Sequence, residues 1–309
     1  MRRAVVTGAG GFIGTHLCRA LRHEGWEVAV ITRAHALPGC ERLPVTLASA
    51  DVELSRALGG AQVVFHLAGL AHGRASGAAE DELHRVNVES SARLLAASEA
   101  AGVPAMIWLS SIKVLGDTSE RPLRPEDAYR AGDAYARSKV EGERALLDRE
   151  GFTRAAIVRP PLVYGPGVAG NFASLARWVG SGVPLPLGAA SAPRSMVGVD
   201  NLCSLMLRLA EEGSGVFHVA DARDRSVAQL IRAMAVLLGV PDRSWRVSPR
   251  LLAAVASALG QRARYTRLFE PLQVDQSMTR ERLGWQPPHD PDQQLKETMR
   301  WFRERRQAT

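Results

Sequence analysis

Tyr135 and Lys139 stand four positions apart, so on a helix their side chains share one face and neighbour each other. A free phenol ionises near 10, too high for ready proton exchange at neutral pH. A nearby ammonium favours the phenolate and is expected to draw that value toward the working range. Ser110-Ser111, closing an apolar run, adds a hydroxyl that can bond the same oxygen. Together these groups can move a proton to or from an oxygen whose carbon exchanges a hydride. Of the 39 basic residues only Lys113, Lys139 and Lys296 are lysine, so Lys139 stands out against an arginine background.

A hydride carrier has a seat at the N-terminus. Thr7-Gly8-Ala9-Gly10-Gly11-Phe12-Ile13-Gly14 follows an apolar run and opens a helical pattern. Glycine is needed where such a turn is sharp, where its backbone nears a pyrophosphate, and where helix meets strand. The free N–H groups of the helix start then face the phosphates. The spacing of Gly8, Gly11 and Gly14 is a variant of the dinucleotide fingerprint. At the end of the second strand, where an acid would hold a ribose 2′-hydroxyl, the chain has Thr32 and Arg33. Arg33 suits a 2′-phosphate, so NADP(H) is favoured over NAD(H). Asp51-Val52 could meet the adenine edge, or serve only as a turn or cap.

Positioning these groups requires an α/β scaffold. Apolar runs at residues 4–7, 28–32, 63–67, 106–110 and 155–159 alternate with helix-period stretches at 13–24, 86–101 and 135–150. Buried runs separated by helices predict a doubly wound parallel sheet. Residues 1–165 are expected to form this Rossmann domain, with a return segment near 195–220. Beyond Arg159 come many prolines and glycines, then helices at about 226–238, 249–259 and 292–305. Residues 166–309 are therefore expected to form mainly a smaller substrate-binding lobe over the carboxyl edge of the sheet, where open α/β sheets take ligands.

With 309 residues, 46% of them hydrophobic, the chain can bury a sizeable core. No window approaches the roughly 20 apolar residues that span a bilayer. Three scattered cysteines imply neither a disulfide framework nor a metal site, and the cytoplasm is expected. The net charge of +7 is spread among acids rather than concentrated. It suits an anionic small substrate better than nucleic acid, and neither a nucleic-acid nor a membrane partner is expected.

The motifs TGAGGFIG, HLAG at 66–69 (with Leu67, Ala68 and Gly69), the Asn87-Val88 helix, LSSIKVLG, YARSK, RPPLVYGPG and RSMVGVDNL are similar to those of extended short-chain dehydrogenases/reductases. The resemblance is to the nucleotide-sugar epimerase/dehydratase/reductase superfamily and covers nearly the whole chain. Within it the chain resembles UDP-glucose 4-epimerase-like proteins that include UDP-4-keto-6-deoxy-N-acetylglucosamine reductases. The resemblance implies Tyr135 as acid/base, Lys139 as its partner on the phenol and the cofactor ribose, and Ser111 as the orienting hydroxyl. It implies that Asn171 and Arg194, with Arg267, contact a diphosphate, and that the chain pairs as a homodimer through the helices near 86–101 and 135–150. Ile112 and Lys113 replace the two acids of the 4,6-dehydratases, which removes the machinery of elimination. Leu115 replaces a common tyrosine, Leu162 an asparagine that often touches substrate, and His72 stands near a cofactor-contacting lysine position. The leading expectation is an NAD(P)H-dependent reduction at C4 of a UDP-linked 4-keto sugar. The alternatives are a UDP-hexose 4-epimerase with tightly held NAD, and a non-catalytic dinucleotide-binding protein, against which the intact Ser111, Tyr135 and Lys139 argue.

Overall fold

A computed structural model describes residues 2–32, 37–70, 80–149 and 154–307. Seven strands form one sheet: β1 (Arg3–Thr7), β2 (Glu27–Ile31), β3 (Glu41–Arg42), β4 (Val63–His66), β5 (Ala105–Leu109), β6 (Arg154–Arg159) and, beyond two strands of the second lobe, β9 (Gly215–His218). Their spatial order is β3-β2-β1-β4-β5-β6-β9, with every pairing parallel. Parallel strands need crossovers, and the crossover helices cover both faces. The apolar runs fit this: Val5, Val6, Val30, Val63, Phe65 and Ile107 are all essentially inaccessible to solvent.

Alternate side chains divide the core in two. Ala4, Val6, Val30, Phe65 and Ile107 meet helices α1 (Phe12–His23) and α7 (Val199–Glu211) through Leu17, Leu21, Leu202 and Met206. Val5, Val64, Met106, Trp108 and Ile157 meet α2 (Asp51–Leu58), α4 (Ser90–Ala100) and α5 (Ala134–Leu147) through Leu54, Leu94, Leu95 and Leu146. Between α2 and α4 a short helix α3 (Glu80–His84) runs into α4 through one wide turn, Arg85–Glu89. The strand order reverses between β1 and β4, and it is outside the carboxyl ends of strands at such a point that open α/β sheets take ligands.

The second lobe has its own core. Strand β7 (Leu162–Tyr164) pairs in parallel with β8 (Met196–Gly198). Tyr164, Phe172, Val179, Ile231, Met234, Leu295 and Met299 close around α6 (Gly170–Ser181), α8 (Val227–Leu238) and α12 (Pro291–Gln307). The remaining helices are α9 (Pro249–Ala258), α10 (Arg262–Phe269) and α11 (Ser277–Leu283). From β8 the chain returns to the main sheet, where Val197 and Val199 join the core under α1. Among the described residues no helix is long and apolar enough to cross a membrane.

Two imidazoles are sealed inside. His66 bridges Thr7 Oγ1 and Ser91 Oγ, each at 2.7 Å. Burial, with the Lys139 charge adding to it, holds its pKa down to about 3. His218 lies 3.1 Å from the Leu123 carbonyl, and burial first, then Arg159, lowers it to about 4. Both are below the ordinary 6.5, so the unfolded chain takes up the protons first. The stability tied to neutral imidazoles is complete above about 6.5 and is lost as pH falls toward the folded values. By about pH 5 each histidine should cost about 2 kcal/mol. Melting temperature should therefore fall steadily between about pH 7 and about pH 5, and a flat profile would contradict neutral, buried imidazoles.

Candidate active site

The cradle is built by close backbone approach. Gly8 has φ +71°, and a Cβ there would stand 2.7 Å from the Ala68 nitrogen, so the turn lies directly against the loop after β4. The Gly11 N–H closes the turn on the Gly8 carbonyl at 3.0 Å. A Cβ on Gly14 would collide with that same carbonyl. Gly11 caps α1 without any side-chain acceptor, so the first-turn N–H groups stay available to an anion. A dinucleotide fits this arrangement: the backbone comes close only because no side chain intervenes. Phe12 packs edge-on against His16 at 5.6 Å and Ile13 packs on the sheet core, so their side chains support the cradle rather than line it.

The sequence-derived residues beyond the cradle are placed unevenly. Thr32 is half-buried just past β2; Arg33 and His72 lie outside the described residues. Asp51 opens α2 and accepts from Arg93 Nε at 3.0 Å and Nη2 at 2.9 Å, the usual place for a helix-start acid. Val52 beside it is 70% exposed. Asn87, buried in the wide turn before α4, accepts from the Leu70 N–H at 2.7 Å and donates to Ser138 Oγ at 3.0 Å. It thereby staples the Leu67–Ala68–Gly69 loop to α5. A Cβ on Gly69 would fall 2.9 Å from Asn87 Oδ1 and 3.5 Å from Lys139 Nζ, so this loop forms the floor between the cradle and the lysine.

Helix α5 carries the reactive side chains because it lies unusually close to β5. A Cβ on Gly142 would strike the indole of Trp108. Asp133 caps the helix, accepting from the Ala136 N–H at 2.8 Å. Lys139 then donates to the Leu109 carbonyl at 3.1 Å, at the carboxyl end of β5. Ser111 follows β5, its hydroxyl accepting from the Lys113 N–H at 3.3 Å and bonding the Tyr135 phenol. The three groups singled out by the sequence therefore meet.

Their electrostatics depart from the expected pattern. Burial raises the Tyr135 phenol to about 12, the Ser111 hydrogen bond pulls the other way, and Asp133 adds to the rise. Burial likewise lowers Lys139 to about 8, against the upward pull of Glu143. The expectation that Lys139 draws the phenol downward is thus corrected. Burial holds the phenol above its ordinary value, and the opposing pull comes from the Ser111 hydrogen bond.

Beneath them lies a group that the sequence reading missed. Glu143, one turn past Lys139, is wholly buried and pairs with Arg159 Nη2 at 2.6 Å and Nε at 3.0 Å. It also accepts from Tyr129 at 2.9 Å and from Ser110 Oγ. Its signal was the continued four-residue spacing of 135, 139 and 143 and the arginine closing β6.

The three residues expected at a diphosphate lie on different elements of the second lobe. Asn171 is exposed in the first turn of α6. Arg194 donates to the Glu270 carbonyl at 2.5 Å, and burial lowers it to about 10, with Asp117 opposing and the Arg267 charge adding. Arg267, in α10, donates to the Ala263 carbonyl at 3.0 Å. Two guanidiniums that feel each other's charge make a ready site for a polyanion.

Removing the Glu143 carboxylate would leave Arg159 buried and unpaired. Glu143→Ala should cost about 3–5 kcal/mol, read as a lower denaturant midpoint; a loss under about 1 kcal/mol would show that the pair is dispensable.

Residues 4–220 match the model of the NAD dependent epimerase/dehydratase family. A UDP-glucose 4-epimerase of Vibrio cholerae is 34% identical, over 96% of this chain and 94% of its own. A dTDP-4-dehydro-6-deoxy-D-allose reductase of Streptomyces bikiniensis is 29% identical, over 98% and 96%. Among solved structures, MoeE5 in complex with UDP-glucose and NAD superposes with a TM-score of 0.80 at 26% identity, covering 99% of this chain and 100% of its own. The chain belongs to the NAD dependent epimerase/dehydratase family.

Proposed function

We propose that the protein is a reductase acting at C4 of a UDP-linked 4-keto-6-deoxy-hexosamine, with Tyr135 as proton donor. The observation that carries this reading is the contact between the Ser111 and Tyr135 hydroxyls at the carboxyl end of β5, above Lys139. Bound nicotinamide supplies the hydride that a ketone carbon must gain, and NADP(H) is favoured. The oxygen of that ketone becomes an alkoxide and needs a proton. Tyr135, protonated at neutral pH, gives it from the phenol Oη. Ser111 donates a hydrogen bond to the same oxygen and fixes the face presented. The Lys139 ammonium stabilises the phenolate left behind, and positioning with charge stabilisation supplies most of the rate.

Gly8, Gly11 and Gly14 hold the pyrophosphate of the cofactor, with Thr32 and Arg33 at its ribose. Asn87, Leu67, Ala68 and Gly69 line its nicotinamide half. Asn171, Arg194 and Arg267 take the diphosphate of the UDP-sugar. Ile112 and Lys113 offer no acid for elimination, so the reaction ends at the carbinol. Leu162, 42% exposed at the start of β7, stands where relatives often carry a substrate-touching asparagine. An apolar side chain there suits a deoxygenated C6. The 4-epimerase reading is favoured by the Vibrio relative. It uses the same triad, but needs an oxidised cofactor held through a full cycle of oxidation and return. In either case the protein works as a homodimer in the cytoplasm.

Purified protein mixed with UDP-4-keto-6-deoxy-N-acetylglucosamine and NADPH, then NADH, should consume reduced nicotinamide in stoichiometric amounts. No consumption, with NAD⁺ co-purifying and UDP-hexoses interconverted, would establish the epimerase instead. Tyr135→Phe should keep the fold and cofactor binding but lower turnover by roughly 10²–10⁴-fold. Near-normal turnover would remove Tyr135 as the donor. The rate of reduction should hold steady below about pH 8 and decline above it as Lys139 loses its proton. A rate that rises through that range would contradict an ammonium role.

A further inference from the structure

Lys113 touches Ser111 directly and reaches the helix that carries Tyr135 through its cap, Asp133. Its backbone N–H donates to Ser111 Oγ at 3.3 Å. Its ammonium forms an ion pair with Asp133, the residue whose other oxygen caps the helix bearing Tyr135. Asp117 stands 3.5 Å away on the same ammonium. The turn itself is anchored, since Ile112 donates to the Pro160 carbonyl at 3.0 Å and Arg130 donates to the Val114 carbonyl at 2.8 Å. The Lys113 side chain is 15% exposed and that of Asp133 32%, so the pair is partly shielded, between a surface and a buried salt bridge.

We propose that Lys113 is a positioning residue that clasps the turn carrying Ser111 to the start of the helix carrying Tyr135, and so sets the contact between their hydroxyls. This deepens the reading of the same site as a C4 reductase and rests on it. Ser111 and Tyr135 come from different elements, one following β5 and one opening α5. Glu143 with Ser110, and Lys139 with the Leu109 carbonyl, tie those elements together deeper in the helix. Lys113 adds a tie at the first turn, where the phenol stands, holding the turn through its amide and the helix cap through its ammonium.

The clasp has an electrostatic side as well. Among the described residues the charge that acts on the phenol is Asp133, at the cap of its own helix; Lys139 lies one turn along that helix and Lys113 on the facing turn. Asp133 opposes ionisation of Tyr135, and the Lys113 ammonium lies against that carboxylate. Lys113 also stands between this pair and the Asp117 carboxylate, whose charge reaches Arg194. The cation therefore sits against the one carboxylate that opposes ionisation of the donor and beside the one that acts on Arg194.

The variants are Lys113→Met, which keeps the backbone N–H and the stem but removes the charge, Lys113→Arg, which restores a cation, and Asp133→Asn, which keeps a capping oxygen. The first readout needs no substrate. The chain has four tyrosines, so the ring-Cζ resonance of Tyr135 in isotopically labelled protein can be assigned with Tyr135→Phe. Lys113→Met should displace that resonance at neutral pH, and Lys113→Arg should bring it back. An unmoved resonance in Lys113→Met overturns the clasp. The second readout is turnover of UDP-4-keto-6-deoxy-N-acetylglucosamine. Lys113→Met should lower kcat about ten-fold, the effect of roughly one lost positioning hydrogen bond or charge contact. KM and the Kd for cofactor should change by less than about two-fold, since neither ligand loses a contact. Combining Lys113→Met with Asp133→Asn should lower kcat no further than the worse single variant. A rise in KM at unchanged kcat, or multiplicative losses in the double variant, also overturns the proposal. If the wild-type protein leaves that sugar untouched, the substrate reading fails, and the resonance decides the clasp alone.

Discussion

The site stands on one buried carboxylate. Glu143 meets Arg159 at the end of β6, Ser110 at the end of β5 and Tyr129 in the segment leading to α5. Arg159 in turn reaches the Pro125 carbonyl at 2.9 Å and lies over the Tyr129 ring. Four pieces of chain that converge at the carboxyl edge of the sheet are thereby tied to one point. A buried ion pair contributes little net stability once dehydration is counted, but breaking it is expensive. Its consequence here is geometric: the same helix carries Lys139 one turn earlier and Tyr135 two turns earlier, so fixing Glu143 fixes both. The close contact of Gly142 with Trp108 presses that helix onto β5 and determines how far the lysine reaches.

The same burial that orders these side chains sets their protonation. Dehydration disfavours every charge at the sheet edge, raising the phenol and lowering the ammonium. A tyrosine in that state is a proton donor first and a base only when something else supplies positive charge. Placing a polar relay in an apolar setting therefore biases which direction of proton transfer begins the cycle. Glu143 works against the effect on Lys139, and Asp133 works with it on Tyr135, so acids on a single helix have opposite consequences for neighbouring groups.

Much of this was legible in the residues. The parallel sheet followed from apolar runs separated by helical periods, and the cradle followed from three glycines that only close backbone contact requires. The Tyr135–Lys139 pair followed from helical spacing. Short elements escaped: β3 has two residues, and β7 and β8 have three each, too few for alternation to register. Helices α6 and α7 were also missed, being entered through glycine-rich or strand-like segments. The protonation of Tyr135 was misjudged because spacing shows a neighbouring ammonium but not the depth at which both are buried. Glu143 and the clasp of Lys113 on Asp133 were hidden for another reason. Their partners are 16 and 20 residues away, a separation that sequence periodicity does not carry.

The two lobes are joined at more than a hinge. Asp221, past β9, accepts from Tyr164 at 2.7 Å, from the Gly198 N–H at 3.0 Å and from Asn201 at 2.8 Å. Those donors come from β7, from the end of β8 and from α7, so one carboxylate binds the small sheet to the helix that packs beneath the large one. Burial raises its pKa, while the three hydrogen bonds pull it back. Every donor satisfied there is one that would otherwise be left unpaired at the junction. Arg194 lies two residues before β8 on this braced segment. Its backbone is held there too, exchanging hydrogen bonds with Arg225 at 3.1 Å each way. The segment that carries Arg194 is then held in place by the same carboxylate that ties the two lobes.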